Sequence, residues 1–226
     1  MNQRETRKRE SSENSSLWCA FTKQVSELGF QPTSEQTTKF QKYHELLLEW
    51  NQKINLVSRK DTARLISYHF IDSLLVLNYL PENSTVCDLG SGAGLPGIPI
   101  KIMRDDITLY LIESIRKKAA FLSLVAEELN LEKIKILPER AENITDVKCD
   151  VVVIRLLGKI KKLVPVALPL LNKSGKIIFY KAQTAADEIL EAKNVLAKFQ
   201  FPPTFHEIAL PGTNIVRRLV IIKKIN

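Results

Sequence analysis

Asp88-Leu-Gly-Ser-Gly-Ala-Gly-Leu-Pro-Gly-Ile98 follows a short apolar run, Thr85, Val86 and Cys87, and precedes a stretch that reads as a helix. A strand that turns at once into a helix, with a ligand lying against the turn, needs residues without Cβ at the crossing point. Gly90, Gly92, Gly94 and Gly97 supply them, half of the chain's eight glycines. Amides at the start of the following helix favour an anionic group there.

Outward from that turn, strands and helices alternate, the arrangement of a parallel sheet covered on both faces. Strands are predicted at 84–89, 107–113, 133–137, 150–155 and 175–180, with helices at 96–104, 116–129, 159–171 and 184–199. Phe205–Leu210 and Ile215–Lys223 are separated by Pro-Gly-Thr-Asn, a hairpin signal, so the sheet ends in an antiparallel pair. The expected class is α/β: a Rossmann-like, doubly wound, mostly parallel sheet of the S-adenosylmethionine-dependent methyltransferase kind, with a C-terminal antiparallel hairpin and an N-terminal helical cap.

Upstream, 17–28 reads as a short helix stopped by Gly29, and Thr33 to about Leu56 as a longer one. Thr33 and Gln36 have capping-box spacing, and Phe40, Tyr43, Leu47, Trp50 and Ile54 recur at three and four. A third helix is predicted from Asp61 to Tyr79, ended by Pro81. Residues 1–16 carry charge and serine with no apolar side chain after Met1, and are expected to be a disordered basic tail. The resulting division is tail 1–16, helical cap 17–83 and methyltransferase domain 84–226.

Lysine and arginine total 33 against 25 acidic residues, a net charge of +8 that favours a polyanionic partner without demanding one. Cys19, Cys87 and Cys149 are odd in number and far apart, which suggests neither a disulfide framework nor a zinc cluster. No metal-ligand spacing appears, and no apolar run approaches a membrane span. A soluble cytoplasmic protein, free of metal and membrane and monomeric, is expected.

Gly92-Ala-Gly-Leu-Pro-Gly97 also satisfies the GxGxxG pattern of dinucleotide binding, so an NAD-dependent oxidoreductase is the rival reading. Asp88 argues for S-adenosylmethionine: an acid at the strand end can order the turn and meet the ammonium of an amino-acid-like ligand, whereas a pyrophosphate has no use for it. Glu113 ends the second strand, where its carboxylate can accept hydrogen bonds from two ribose hydroxyls. After the third strand, Ala141 offers a small surface to an adenine ring and Glu142 can bond its polar edge. Arg155 closes the fourth strand and needs a partner: Glu142 or Glu113 as scaffolding, or a substrate phosphate.

Two absences narrow the acceptor. No Asn/Asp-Pro-Pro-aromatic turn of the exocyclic-amine methylases follows that strand, and Cys149, the nucleophile that pyrimidine C5 would need, lies at its far end. Guanine N7 is already nucleophilic and needs alignment rather than a base, which suits a site with no obvious base. His44, His69 and His206 are too scattered in the sequence to be assigned a catalytic role.

Over roughly residues 40–224 the chain resembles the bacterial 16S ribosomal RNA guanine-N7 methyltransferase G family, formerly glucose-inhibited division protein B. The resemblance rests on Leu48-Glu-Trp-Asn-Gln-Lys-Ile-Asn-Leu56, His69-Phe-Ile-Asp-Ser-Leu74, the glycine turn through Pro99, Glu113-Ser114, Lys117-Lys118, Arg140-Ala-Glu142, Arg155, Lys181 and Arg217. It implies that Gly90 and Leu95, with Gly92 in the same turn, hold the methionine part of S-adenosylmethionine, Glu113 the ribose, and Ala141 and Glu142 the adenine side. Arg155 would lie at the cofactor and acceptor site as the catalytic residue. The partner implied is 16S ribosomal RNA or the small ribosomal subunit. Lys117, Lys118, Lys181 and Arg217 would form a basic surface around the mouth. The family usually has a small residue on each side of the strand-four arginine, whereas Ile154 and Leu156 flank Arg155 here. That bulk is expected to narrow the acceptor pocket, and it motivates a second alternative, a catalytically inactive cofactor- and RNA-binding protein of the same fold.

Overall fold

A computed structural model of the chain describes residues 3–182, 185–197 and 203–224. Its centre is a seven-stranded sheet in the order β3-β2-β1-β4-β5-β7-β6. The strands are β1 (Thr85–Leu89), β2 (Thr108–Ile112), β3 (Ile134–Leu137), β4 (Cys149–Arg155), β5 (Leu171–Lys181), β6 (Thr204–Ala209) and β7 (Val216–Lys223). β1 to β5 run parallel, and β7 inserts antiparallel between β5 and β6. The central strands β1 and β4 are buried without alternation because helices cover both of their faces.

One face carries α1 (Gln3–Glu27), α2 (Ser34–Asn51), the helical turns of 59–79, α5 (Gly97–Met103) and α6 (Arg116–Glu128). The other carries α7 (Ile160–Ala167), α8 (Ala185–Glu191) and α9 (Lys193–Leu196). The two ends of the predicted helix 184–199, residues 184 and 198–199, lie outside the described residues. The N-terminal helices share one continuous core with the sheet: Trp18, Phe21, Phe40, Tyr43 and Phe70 pack in the same cluster as Val86, Leu109, Val153 and Ile178.

Helix α1 begins earlier than its apolar pattern does. Its backbone is helical back to Gln3, through most of the stretch expected to be a disordered tail. The sequence has no glycine or proline before Gly29 to stop it, and Arg, Lys, Glu and Gln are good helix formers. The apolar anchors come only at Trp18, Phe21 and Val25. Helix α2 follows its sequence signal, with Thr33 and Gln36 making both bonds of the capping box.

The predicted helix 61–79 is broken into four pieces. α3 (Arg59–Thr62) is followed by a π-helical turn at Leu65–Phe70, then α4 (Ile71–Leu74) and a 3-10 turn at Leu77–Tyr79. In the π turn the His69 N–H reaches the Arg64 carbonyl, five residues back, at 3.2 Å. Such a widened turn rotates the residues after it relative to those before. Phe70 stays in the core against Tyr43, with ring centroids 5.3 Å apart, while His69 faces the end of the sheet.

Candidate functional site

β1 has β2 on one side and β4 on the other, so successive crossovers leave in opposite directions from it and a crevice opens above its carboxyl end. The glycine turn forms the floor. The Gly90 and Ser91 N–H groups both donate to the Ile112 carbonyl, at 2.9 and 3.0 Å, tying the turn to β2. From α2, the Tyr43 hydroxyl donates to the Ala93 carbonyl at 2.6 Å and holds the turn from below.

At Gly97 the requirement for glycine is one of close approach. A Cβ there would stand 2.5 Å from Leu111 and 2.7 Å from Asp88 Oδ2. That proximity lets the Gly97 N–H donate to Asp88 Oδ2 at 2.9 Å. Asp88 is thereby the anchor of the helix start. It is buried under the turn and is not among the residues that line the crevice, and the ordering role expected of it is in place.

Asp88 Oδ1 is buried with no hydrogen-bond partner. Burial pushes the carboxyl up to about 7, against the opposing pull of the Gly97 N–H and the Arg155 charge. The sign follows from linkage: a carboxyl raised from 3.8 to about 7 on folding contributes stability that is fully present below 3.8 and is lost as pH rises through about 7. Asp88→Asn does not titrate. Its stability relative to the parent is therefore expected to rise between pH 5 and 8, by at most about 1.4 kcal/mol per pH unit. Denaturant titrations of both proteins across that range test this, and a constant difference would refute it.

Gly90, Gly92, Leu95, Glu113, Ala141, Glu142 and Arg155 all line one crevice of about 690 Å3, within the range of small-molecule sites. Glu113 is held rigidly: Oε2 accepts from the Gly92 N–H and Oε1 from the Ile115 N–H, both at 2.8 Å. Each oxygen keeps a further lone pair for a ligand hydroxyl. Ala141 is buried and Glu142 exposed at the crevice edge. A nucleoside amino acid fits this donor set, with two glycines that let it approach the backbone and a carboxylate fixed beside the turn.

Arg155 has a different partner from those expected. Its Nε donates to Asp72 Oδ2 at 2.7 Å, and Glu142 and Glu113 are not bound to it. The other Asp72 oxygen accepts from Arg217 Nε at 2.6 Å, and Arg217 Nη2 donates to the Tyr68 hydroxyl at 2.6 Å. Asp72 is fully buried, and both arginines are nearly so. Arg217 therefore belongs to the interior network and not to the basic mouth. Lys181 is drawn in as well, bonded to Glu188 at 2.7 Å and to the Gly158 carbonyl at 2.6 Å. Lys117 is exposed, and Lys118 lines the crevice.

Arg155 Nη2 also meets His69 Nδ1 at 2.5 Å. A guanidinium can only donate, so Nδ1 is the acceptor and the imidazole proton sits on Nε2. That nitrogen lies 3.1 Å from Asp61 Oδ1. Burial, aided by the Arg155 charge, lowers the His69 pKa and keeps the ring neutral. His69, scattered from the other histidines in sequence, thus joins the crevice wall with Asp61. Asp72 and His69 stood in the motif His69-Phe-Ile-Asp-Ser-Leu74 without an assigned role, and the signal for Asp72 was an acid within an apolar run, a position that demands a buried partner.

The two residues flanking Arg155 part company. Ile154 is buried among the α7 and α8 side chains on the opposite face of the sheet, so it cannot narrow the acceptor pocket. Leu156 lines the crevice.

A family model described as rRNA small subunit methyltransferase G matches residues 36–215. Among curated relatives, a "Ribosomal RNA small subunit methyltransferase G" of Desulforamulus reducens is 38% identical over 207 residues, covering 88% of this chain and 86% of that protein. Its counterpart in Streptococcus suis is 35% identical over 213 residues, covering 90% of each. Among solved structures, a SAM-dependent methyltransferase from Aquifex aeolicus aligns with a TM-score of 0.55 at 15% identity, covering 72% of this chain and 93% of that one, a likeness of fold.

Proposed function

Since the chain belongs to the rRNA small subunit methyltransferase G family, we propose that it methylates guanine N7 of 16S ribosomal RNA with S-adenosylmethionine as donor. One observation carries the reading: the glycine turn, the Glu113 carboxylate and the Arg155 guanidinium meet in one crevice at the switch point of the sheet. When bound, S-adenosylmethionine supplies an electrophilic methyl group on a positively charged sulfur.

The chain's own residues then have mainly positioning work. Gly90, Gly92 and Leu95 form the surface for the methionine end, Glu113 accepts from the ribose, and Ala141 and Glu142 flank the adenine. Arg155 commits Nε to Asp72 and Nη2 to His69, while its remaining Nη1 has no protein partner among the described residues. That amino group can donate to guanine O6, which leaves the adjacent N7 lone pair free to attack. No group need remove a proton, because N7 carries none.

Residues 84–226 would hold the catalytic machinery. Residues 17–83 serve as a cap that contributes Asp61, His69 and Asp72 to the site. Lys117 and Lys118 would meet the RNA backbone, so binding should weaken steeply with salt. Among the described residues no group of three or more His, Cys, Asp or Glu could hold a metal ion. Among them also no helix is long and apolar enough to cross a membrane. We place the protein in the cytoplasm, acting as a monomer.

The decisive experiment is mass spectrometry of 16S ribosomal RNA from cells with and without the gene, together with calorimetric titration of the purified protein with S-adenosylmethionine and with NADH. Loss of one 7-methylguanosine on deletion, and binding of S-adenosylmethionine alone, is expected. Unchanged RNA, or binding of NADH alone, would reject the reading.

A further inference from the structure

Directly after Arg155 the chain sets two leucines that both line the crevice, Leu156 the more exposed of them. Leu157 is seated on the glycine turn: its methyl carbons lie 2.7 and 2.8 Å from where a Cβ on Gly90 would stand. Leu156 adopts φ +56° and is 79% exposed.

Both properties are unfavourable for leucine. A bulky side chain in the left-handed region is a backbone outlier, and such outliers cluster where a ligand is clamped. An exposed large apolar side chain also forgoes its burial. Asparagine or glycine would serve this turn better if the turn alone mattered. Leu156 lines the same crevice as Arg155, and so does Ile115, 51% exposed at the end of β2. The crevice that holds Arg155 thus carries an exposed apolar side chain after each of β2 and β4, among charged neighbours such as Glu113 and Lys118.

We infer that Leu156 is a specificity-determining platform on which the face of the acceptor guanine packs, while Leu157 pins the segment to the turn. This rests on the proposed methyl transfer to guanine. Among the parts of an RNA chain only a base has a flat face that gains from contact with an aliphatic side chain, since the ribose and the phosphate are polar and hydrated. Arg155 at the crevice wall supplies the edge contact that such a packed base needs.

The test uses the full-length protein with small ribosomal subunits as acceptor and saturating S-adenosylmethionine. Leu156→Asn keeps a residue that accepts φ > 0 but removes the apolar surface, and Leu156→Met keeps the surface. The asparagine variant is expected to lose about tenfold in kcat/KM for the subunit, mainly through KM. Its thermal midpoint and its calorimetric affinity for S-adenosylmethionine should stay at parent values, and the methionine variant should remain within about threefold of the parent. Parent-like kcat/KM in Leu156→Asn, or an equal loss in Leu156→Met, would overturn the platform. So would a matching loss of cofactor affinity. A parent protein that binds S-adenosylmethionine yet modifies no guanine would instead reject the function on which the platform rests.

Discussion

Asp72→Ala is expected to lower stability by about 3–5 kcal/mol, because it strands two buried guanidiniums without a counter-charge. The carboxylate spans Arg155 and Arg217 with bonds of 2.7 and 2.6 Å, and its side chain is completely inaccessible. Against a total stability on the order of 5–15 kcal/mol, that loss is large. For a chain of this size each kcal/mol moves the thermal midpoint by about 2–4 °C, so a fall of roughly 6–20 °C should appear in a calorimetric scan. Methyl transfer should disappear with it, since Arg155 loses its main anchor. Arg155→Ala separates the two effects: Asp72 keeps Arg217, so the midpoint should hold much better while transfer still falls by at least about 100-fold. A midpoint for Asp72→Ala within 2 °C of the parent, by roughly the error of the scan, would show that the carboxylate does not carry the network.

Glu113→Ala is expected to weaken S-adenosylmethionine binding by about 100-fold or more. The carboxylate orders both the glycine turn, through the Gly92 N–H, and the start of α6, through the Ile115 N–H. Bonds to a charged acceptor contribute about 1.5–3 kcal/mol each, and the alanine variant loses these as well as the ribose contact. Even one such bond is worth about tenfold or more in affinity. Glu113→Gln keeps a single acceptor oxygen and turns an N–H donor toward another donor, so it should rescue only part of the loss. Calorimetric titration gives the answer directly, and an alanine variant that binds within about threefold of the parent would remove Glu113 from the site.

The parts of the fold legible in the sequence share a property: their causes are local. The turn at 88–98 is set by residues without Cβ at fixed spacing, the α2 start by Thr33 and Gln36, and the terminal hairpin by Pro-Gly-Thr-Asn between two β runs. The seating of Ile154 was legible too. Neighbours within a strand point to opposite faces, so Ile154 falls across the sheet from Arg155 and the narrowing expected of it fails, whereas Leu156 lies past the end of β4 and escapes that rule. The break in the helix 61–79 was not. Leu65, Ile66, Phe70 and Leu74 recur at helical spacing, which predicts one continuous helix, and the single extra residue of a π turn leaves no mark in such a pattern. For α1 the apolar pattern marks only where the helix touches the core, and the polar turns before Trp18 leave no such mark.

The order of strands and helices, the glycine turn and the acid at the end of β2 could be read along the chain, because each follows from the preferences of residues a few positions apart. The purpose of Arg155 could not. Its partners Asp72 and His69 lie 83 and 86 residues away along the chain, and Arg217 reaches the same carboxylate from 145 residues beyond it. Nothing local selects one acid over another for a buried charge. The folding of the cap onto the sheet does, by bringing Asp72 to the end of β4, while Glu113 is engaged with the backbone of the glycine turn and of Ile115.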